Sequence, residues 1–168
     1  VIEGKNSKEV LTKLAQLSVP MELPPLWALG YQQCRYSYYP AARVKEIVDK
    51  MRENKIPCDV VWMDIDYMDK FKVFTFAKEL FAYPEELHDY VNKQKMKTVY
   101  MIDPGVKVED GYFVYDQGKE HDFFVKNAKG TDFQGRVWPG TCSFPDFARS
   151  EVRTWWSTLT RDFMLRGV

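Results

Sequence analysis

With 168 residues the chain is long enough for one domain able to bury roughly two-thirds of its unfolded surface. Its 24 basic residues balance 24 acidic ones, so nothing in the overall charge points to an electrostatic grip on nucleic acid or on an anionic membrane surface, and neither is expected as a partner. No apolar run approaches the roughly 20 residues of a membrane-spanning helix, and scattered Cys and His residues form no metal-ligand spacing, so neither metal nor cofactor is expected.

The opening VIEGKNSKEV lacks an initiator Met and reads as the start of a fragment. NSKEVLTKLAQLS, Asn6 to Ser18, predicts a helix: Asn6 with Glu9 resembles a capping box, and Val10, Leu11, Leu14 and Leu17 share a face. VPMELPP stops it and serves as an extended connector. LWALGYQQC, Leu26 to Cys34, predicts a mostly apolar strand, and a helix follows from Pro40 with Val44, Ile47, Val48 and Met51 at helical spacing. IPCDVVWMDIDY supplies a second strand. PEELHDYVNKQKM, from Pro84, predicts a helix with Leu87, Tyr90 and Val91 inward, and KTVYMIDPGV a third strand ended by Pro104 and Gly105. Lys107 to Phe147 reads as long and irregular, and SEVRTWWSTLTRDFMLRG as a last helix striped by Val152, Trp155, Trp156, Leu159 and Phe163. Cys34, Cys58 and Cys142 read as buried free thiols.

Strands alternating with helices predict an α/β fold with a parallel sheet, and strands apolar along most of their length suit a sheet covered on both faces. The Lys107–Phe147 stretch far exceeds the roughly 2–6 residues of an ordinary connection and reads as a functional insertion. A doubly wound sheet and a (β/α) barrel both fit this pattern.

In a strand alternate side chains share a face, so Trp62, Asp64 and Asp66 are expected to project together, with Met63, Ile65 and Tyr67 opposite. Each strand ends in polar residues: Arg35–Tyr36, then Asp64 and Asp66, then Asp103. The carboxyl ends of parallel strands are where such sheets and barrels place their ligands. Taken singly, each Asp reads as a turn cap or an ion-pair partner; three strands ending alike point to a site.

Three chemistries compete for it. DIDYM approaches the D-x-D-x-[TV] signature of Mg-dependent phosphotransferases, but Met68 stands where Thr or Val belongs and no phosphate-cradling Gly-rich loop is present. DID also matches the short metal-binding D-x-D of sugar-nucleotide transferases. A carbohydrate site pairs a carboxylate with vicinal hydroxyls and lays aromatic rings on the apolar sugar faces. An aromatic content of 15%, with Tyr31, Tyr36, Tyr38, Trp62, Tyr67 and Trp138 near the strand ends, favours the last. A non-catalytic carbohydrate-binding module has the same needs.

The blocks PPLWALGYQQCRYSY, IPCDVVWMDIDYMDKFKVFTF, VYMIDPGV and VWPGTCSFPDF, with Trp155–Trp156 following, resemble glycoside hydrolase family 31, in particular its α-glucosidase branch. The resemblance runs from Pro24 onward. It implies a partial (β/α)8 TIM barrel, an α/β fold made here of the first three βα units with a long insertion after strand three. Residues 1–23 then resemble the end of a preceding β-sandwich domain and its linking helix, and 24–168 the N-terminal part of the barrel, stopping before strand four. The implied enzyme is a retaining glycosidase that takes terminal α-linked glucosyl residues from oligosaccharides or glucans. By the same resemblance Asp64 holds hydroxyls of the glycone sugar, Ile65 and Ile102 are apolar walls of its pocket, and Tyr36 and Trp138 line it. Trp62, Asp66 and Asp103 support these residues. The family's nucleophile and acid/base lie in motifs beyond Val168, so no residue of this chain is expected to be catalytic. Partners beyond the substrate are not implied, and the oligomeric state stays open.

Overall fold

A computed structural model describes residues 1–168. Three short parallel strands form its central sheet: β1 (Gln32–Gln33), β2 (Val60–Met63) and β3 (Lys97–Tyr100), with β2 in the middle. Helix α2 (Ala41–Glu53) connects β1 to β2 and α3 (Pro84–Lys93) connects β2 to β3. Val44 and Val48 of α2 and Leu87 and Val91 of α3 are buried in one cluster with Val61, Met63 and Tyr100 of the strands. This is the apolar side of each βα unit. Arg52 closes its lower end, donating from Nε to the Gln94 carbonyl at 3.0 Å and from Nη2 to the Cys58 carbonyl at 2.9 Å.

The expected first strand is mostly something else. Leu26–Leu29 turns as a 3-10 helix after Pro24–Pro25, with Ala28 N–H bonded to the Pro25 carbonyl, and only Gln32–Gln33 pair with β2. Proline sets the backbone angle of a turn, and that local preference outweighs the apolar run. The second strand also ends early. Asp64 accepts the Ile65 N–H at 2.7 Å and starts a 3-10 turn, Ile65–Tyr67, so strand alternation does not carry Asp66.

The stretch after β3 is ordered rather than irregular. Strand β4 (Val106–Lys107), helix α4 (Phe113–Glu120), β5 (Gln134–Val137) and β6 (Gly140–Ser143) build a second sheet, antiparallel in the order β4-β6-β5. Helix α5 (Ser150–Met164) then returns to the barrel side: Phe163 stacks on Phe76 at 5.1 Å, and Trp156 meets Phe74 edge-on at 4.9 Å. Val152 and Phe163 are buried, while Trp155, Trp156 and Leu159 of the expected stripe are half-covered.

Helix α1 (Ser7–Ser18) is capped much as its sequence predicts: the Glu9 N–H bonds Asn6 Oδ1 at 3.0 Å, and Glu9 turns back to the Lys5 N–H at 2.8 Å. It buries no residue, and Leu11, Leu14 and Leu17 stand exposed. In α3 Leu87 and Val91 are inward as expected. Tyr90 is half-buried and bonds Asp49, and the buried polar residue of that helix is His88.

Candidate functional site

Residues paired across parallel strands share a face, and the register sets Trp62 beside Val99 and Met63 beside Tyr100. Met63 and Tyr100 face the helices, and Tyr100 Oη meets His88 Nε2 at 2.6 Å. Trp62, Val99 and Gln32 therefore turn to the opposite face, the side a closed barrel would enclose. There the Trp62 indole N–H donates to Gln32 Oε1 at 2.7 Å, which orients the ring across the strand ends. Asp64 continues this face past the last rung of β2. Cys34 lies beside it: partial burial first, then the Asp64 carboxylate, raises the Cys34 thiol above its usual range. Cys58 and Cys142 are buried free thiols as expected, but Cys34 is exposed, because β1 ends before any helix covers it.

Asp66 reaches a different place. From its 3-10 turn it lines an open cleft of about 620 Å3 with Arg35, Tyr36, Tyr38, Tyr39 and Arg43. Arg43, in the first turn of α2, was not singled out from sequence. The signal for Arg43 was its position one turn inside a helix that begins at a strand's carboxyl end. Asp103 follows Ile102 just beyond β3. Burial, then Tyr100, then the Asp103 carboxylate push the Tyr67 phenol up, which sets Asp103 close to Tyr67.

The acids at the strand ends are free of cations. Asp64, Asp66 and Asp103 form no salt bridge, and the side chains of Asp66 and Asp103 make no hydrogen bond within the chain. Asp64 does cap a turn, yet with one oxygen only; Oδ2 keeps its lone pairs unused. Asp69, the next acid along, is bound to Lys72 at 2.8 Å. Ion pairing thus accounts for Asp69 and leaves the other three.

Tyr36 and Trp138 expose 68% and 69% of their surface. Trp138 sits at the turn between β5 and β6. Gly105 brings that turn close: a Cβ on Gly105 would stand 2.8 Å from Val137 Cγ2, so only glycine lets the hairpin approach the end of β3. Ile65 is 6% exposed and belongs to the core cluster, while Ile102 is half-buried against it. Both border the acids through backbone rather than by a shared open surface.

Parallel strands backed by helices on one face, with unpaired carboxylates beyond the carboxyl ends of β2 and β3, define part of a (β/α) barrel with its polar groups gathered where such barrels place their ligands. The family described as the glycosyl hydrolases family 31 TIM-barrel domain matches residues 21–168, and the chain belongs to that family. It is 42% identical over 156 residues to alpha-glucosidase 2 of Bacillus thermoamyloliquefaciens, covering 93% of this chain and 20% of that protein. It is 39% identical over 170 residues to the alpha-glucosidase of Saccharolobus solfataricus, covering 100% of this chain and 24% of that one. Among solved structures, a family 31 alpha-glucosidase from Bacteroides thetaiotaomicron superposes with a TM-score of 0.87 at 48% identity, over 95% of this chain and 27% of the other. The glucosidase II alpha subunit in its alpha3-Glc2-bound form superposes with 0.86 at 36% identity, over 89% and 16%. The chain spans about a fifth of the length of the curated relatives it matches.

Proposed function

We propose that this chain is the sugar-holding side of a retaining α-glucosidase, which removes terminal α-linked glucosyl residues from oligosaccharides or glucans. The observation that carries the reading is the unpaired state of Asp64 and Asp66 after β2 and of Asp103 after its neighbour β3. A carboxylate with free lone pairs accepts two hydroxyl hydrogens of a sugar, and such charge-assisted bonds are the stronger kind. Tyr36 and Trp138 supply rings for the apolar faces of the hexose, and the Trp62 ring, fixed by Gln32, floors the space between strands. The relatives named alpha-glucosidases support the substrate class.

In this reading the chain binds and orients the glycone. Its Asp residues are spectators of bond cleavage, and the pair of carboxylates for double displacement, roughly 5–5.5 Å apart in retaining enzymes, comes from other barrel units. The same reading assigns residues 24–168 to the barrel and 1–23 to a lead-in from a neighbouring β-sandwich domain. The wholly unburied α1 and the start of the family match at residue 21 support that division.

The test is hydrolysis of an α-linked glucose disaccharide by the full-length protein, followed by NMR of the released sugar. Glucose released first as the α-anomer supports the reading. No release from any α-glucoside, or Mg-dependent turnover of phosphate esters instead, would overturn it.

A further inference from the structure

Lys72 follows the 3-10 turns that succeed β2, five residues from Tyr67, and its side chain is only 12% exposed. Its ammonium lies 2.8 Å from Asp69 Oδ2 and 2.9 Å from Glu109 Oε1. Glu109 uses its other oxygen, Oε2, to hold Lys107 Nζ at 2.9 Å. Lys107 is the last residue of β4, and Glu109 stands two residues beyond it. Tyr112 completes the junction: its hydroxyl donates to the Val73 carbonyl at 2.7 Å, and its ring lies 5.6 Å from Lys72 Nζ. Burial alone would lower the Lys72 ammonium, but hydrogen bonds to Asp69 and Glu109 hold it above its usual value. Hydrogen bonds from Lys72 and then Lys107 draw Glu109 down to about 2.

The junction joins two parts that both border the sugar site. On one side is the loop that begins at Asp64. On the other is the antiparallel sheet, in which β4 pairs with β6 and β6 with β5, whose connecting turn bears Trp138. That sheet hangs from the barrel by its covalent link at Asp103–Gly105 and leans on it at Gly105 against Val137. Val106 of β4 and Tyr112 and Val114 beyond it are buried in the same core cluster as Val73 and Phe74, and the ion pairs at Glu109 add a polar tie between β4 and the loop after β2. Most surface pairs contribute little, but a half-buried cation shared by two carboxylates forms a network with fixed geometry.

We propose that Lys72 is a positioning residue, pinning the insertion sheet and thereby Trp138 to the loop that carries Asp64 and Asp66. The inference rests on the α-glucosidase reading, because Trp138 matters only if a sugar lies against it. Lys72 touches no substrate. It sets the distance between the ring that covers the hexose and the carboxylate that grips it, and small misplacements at such sites cost binding steeply.

The experiment is a double-mutant cycle in the full-length protein, read by steady-state kinetics on an α-linked glucose disaccharide. Lys72→Met and Glu109→Gln are each expected to raise KM about tenfold with kcat within about twofold. Lys72→Arg, which keeps the charge, is expected to restore KM to within about threefold of the original. In a Trp138→Ala background Lys72→Met should raise KM hardly further, since the ring it positions is gone. An active parent in which both charge-removing variants lower Tm but leave KM unchanged would overturn the inference while leaving the α-glucosidase reading intact. Equal KM effects with and without Trp138 would overturn it too. A parent that releases no glucose would instead remove the reading on which it rests.

Discussion

Tyr67 Oη donates a 2.7 Å hydrogen bond to the carbonyl oxygen of Met101, tying the turn after β2 to the end of β3. Tyr67 is 1% exposed and meets Tyr100 edge-on at 4.7 Å, so the bond lies where water cannot replace it. Met101 is followed at once by Ile102 and Asp103. Tyr67→Phe keeps the ring and strands the Met101 carbonyl, which costs about 1–3 kcal/mol. A thermal melt of the full-length variant should show a lowered Tm, with KM for an α-glucoside raised as well. An unchanged Tm would show that the carbonyl finds another donor.

Asp64 and Asp69 stand five residues apart in sequence and differ in what they have left to bind. Asp64 keeps Oδ2 free beside the strand ends, whereas Asp69 is spent on Lys72 and is 45% exposed. Removing two charge-assisted bonds of about 1.5–3 kcal/mol each predicts a loss in kcat/KM of about a hundredfold or more for Asp64→Ala. Asp69→Ala removes one partly solvated pair, leaves Glu109 on Lys72, and is expected to stay within about threefold. Steady-state rates of the two variants decide between a ligand-holding and a structural Asp64. Equal, mild losses in both would make Asp64 a turn cap and nothing more.

What the sequence disclosed follows from where one physical term dominates. The βα units were legible because Val44, Val48, Leu87 and Val91 recur at helical spacing and burial there leaves little choice. The acids were legible because carboxylates closing two successive apolar strands have no role in the core. The true extent of β1 was not. Its apolar run belongs to a proline-initiated turn, and pairing with a single neighbour makes only two residues strand. Nor was the second sheet: its strands are short and joined through α4, so no residue pattern of usable length marks them. Strand alternation predicts Asp66 on the face of Asp64, whereas a 3-10 turn places it in the cleft lined by Tyr36 and Arg43.

His88 predicts a pH dependence. Its Nδ1 lies 3.0 Å from the Arg166 carbonyl, which can only accept, so Nδ1 carries the proton and Nε2 accepts from the Tyr100 hydroxyl. Burial lowers its pKa, outweighing the Arg166 carbonyl and the Glu85 and Asp89 carboxylates that favour the cation; the nearby Arg166 guanidinium disfavours it. Above the usual histidine value of 6.5 both folded and unfolded chains hold His88 neutral, and its stabilising contribution is complete. As pH falls below that value the unfolded chain takes up a proton first, so stability is lost, at up to about 1.4 kcal/mol per pH unit. Tm measured between pH 7.5 and 5.5 should fall on acidification, and His88→Gln should flatten this slope. A slope unaltered in the variant would place the sensitivity elsewhere.

The 168-residue chain expressed by itself offers a last test, because its sheet is open. Both β1 and β3 have an outer edge without a partner strand, and Trp62 and Val99, on the face away from the helices, are only half-buried. Leu11, Leu14, Leu17, Leu23 and Leu26 add an exposed apolar strip along α1 and its connector. Unpaired edges recruit further strands, and apolar patches of this extent drive association. Size-exclusion chromatography with light scattering should therefore show concentration-dependent self-association, with a broad thermal transition. A monomer that melts sharply and reversibly would mean that three βα units and the insertion sheet are a sufficient core.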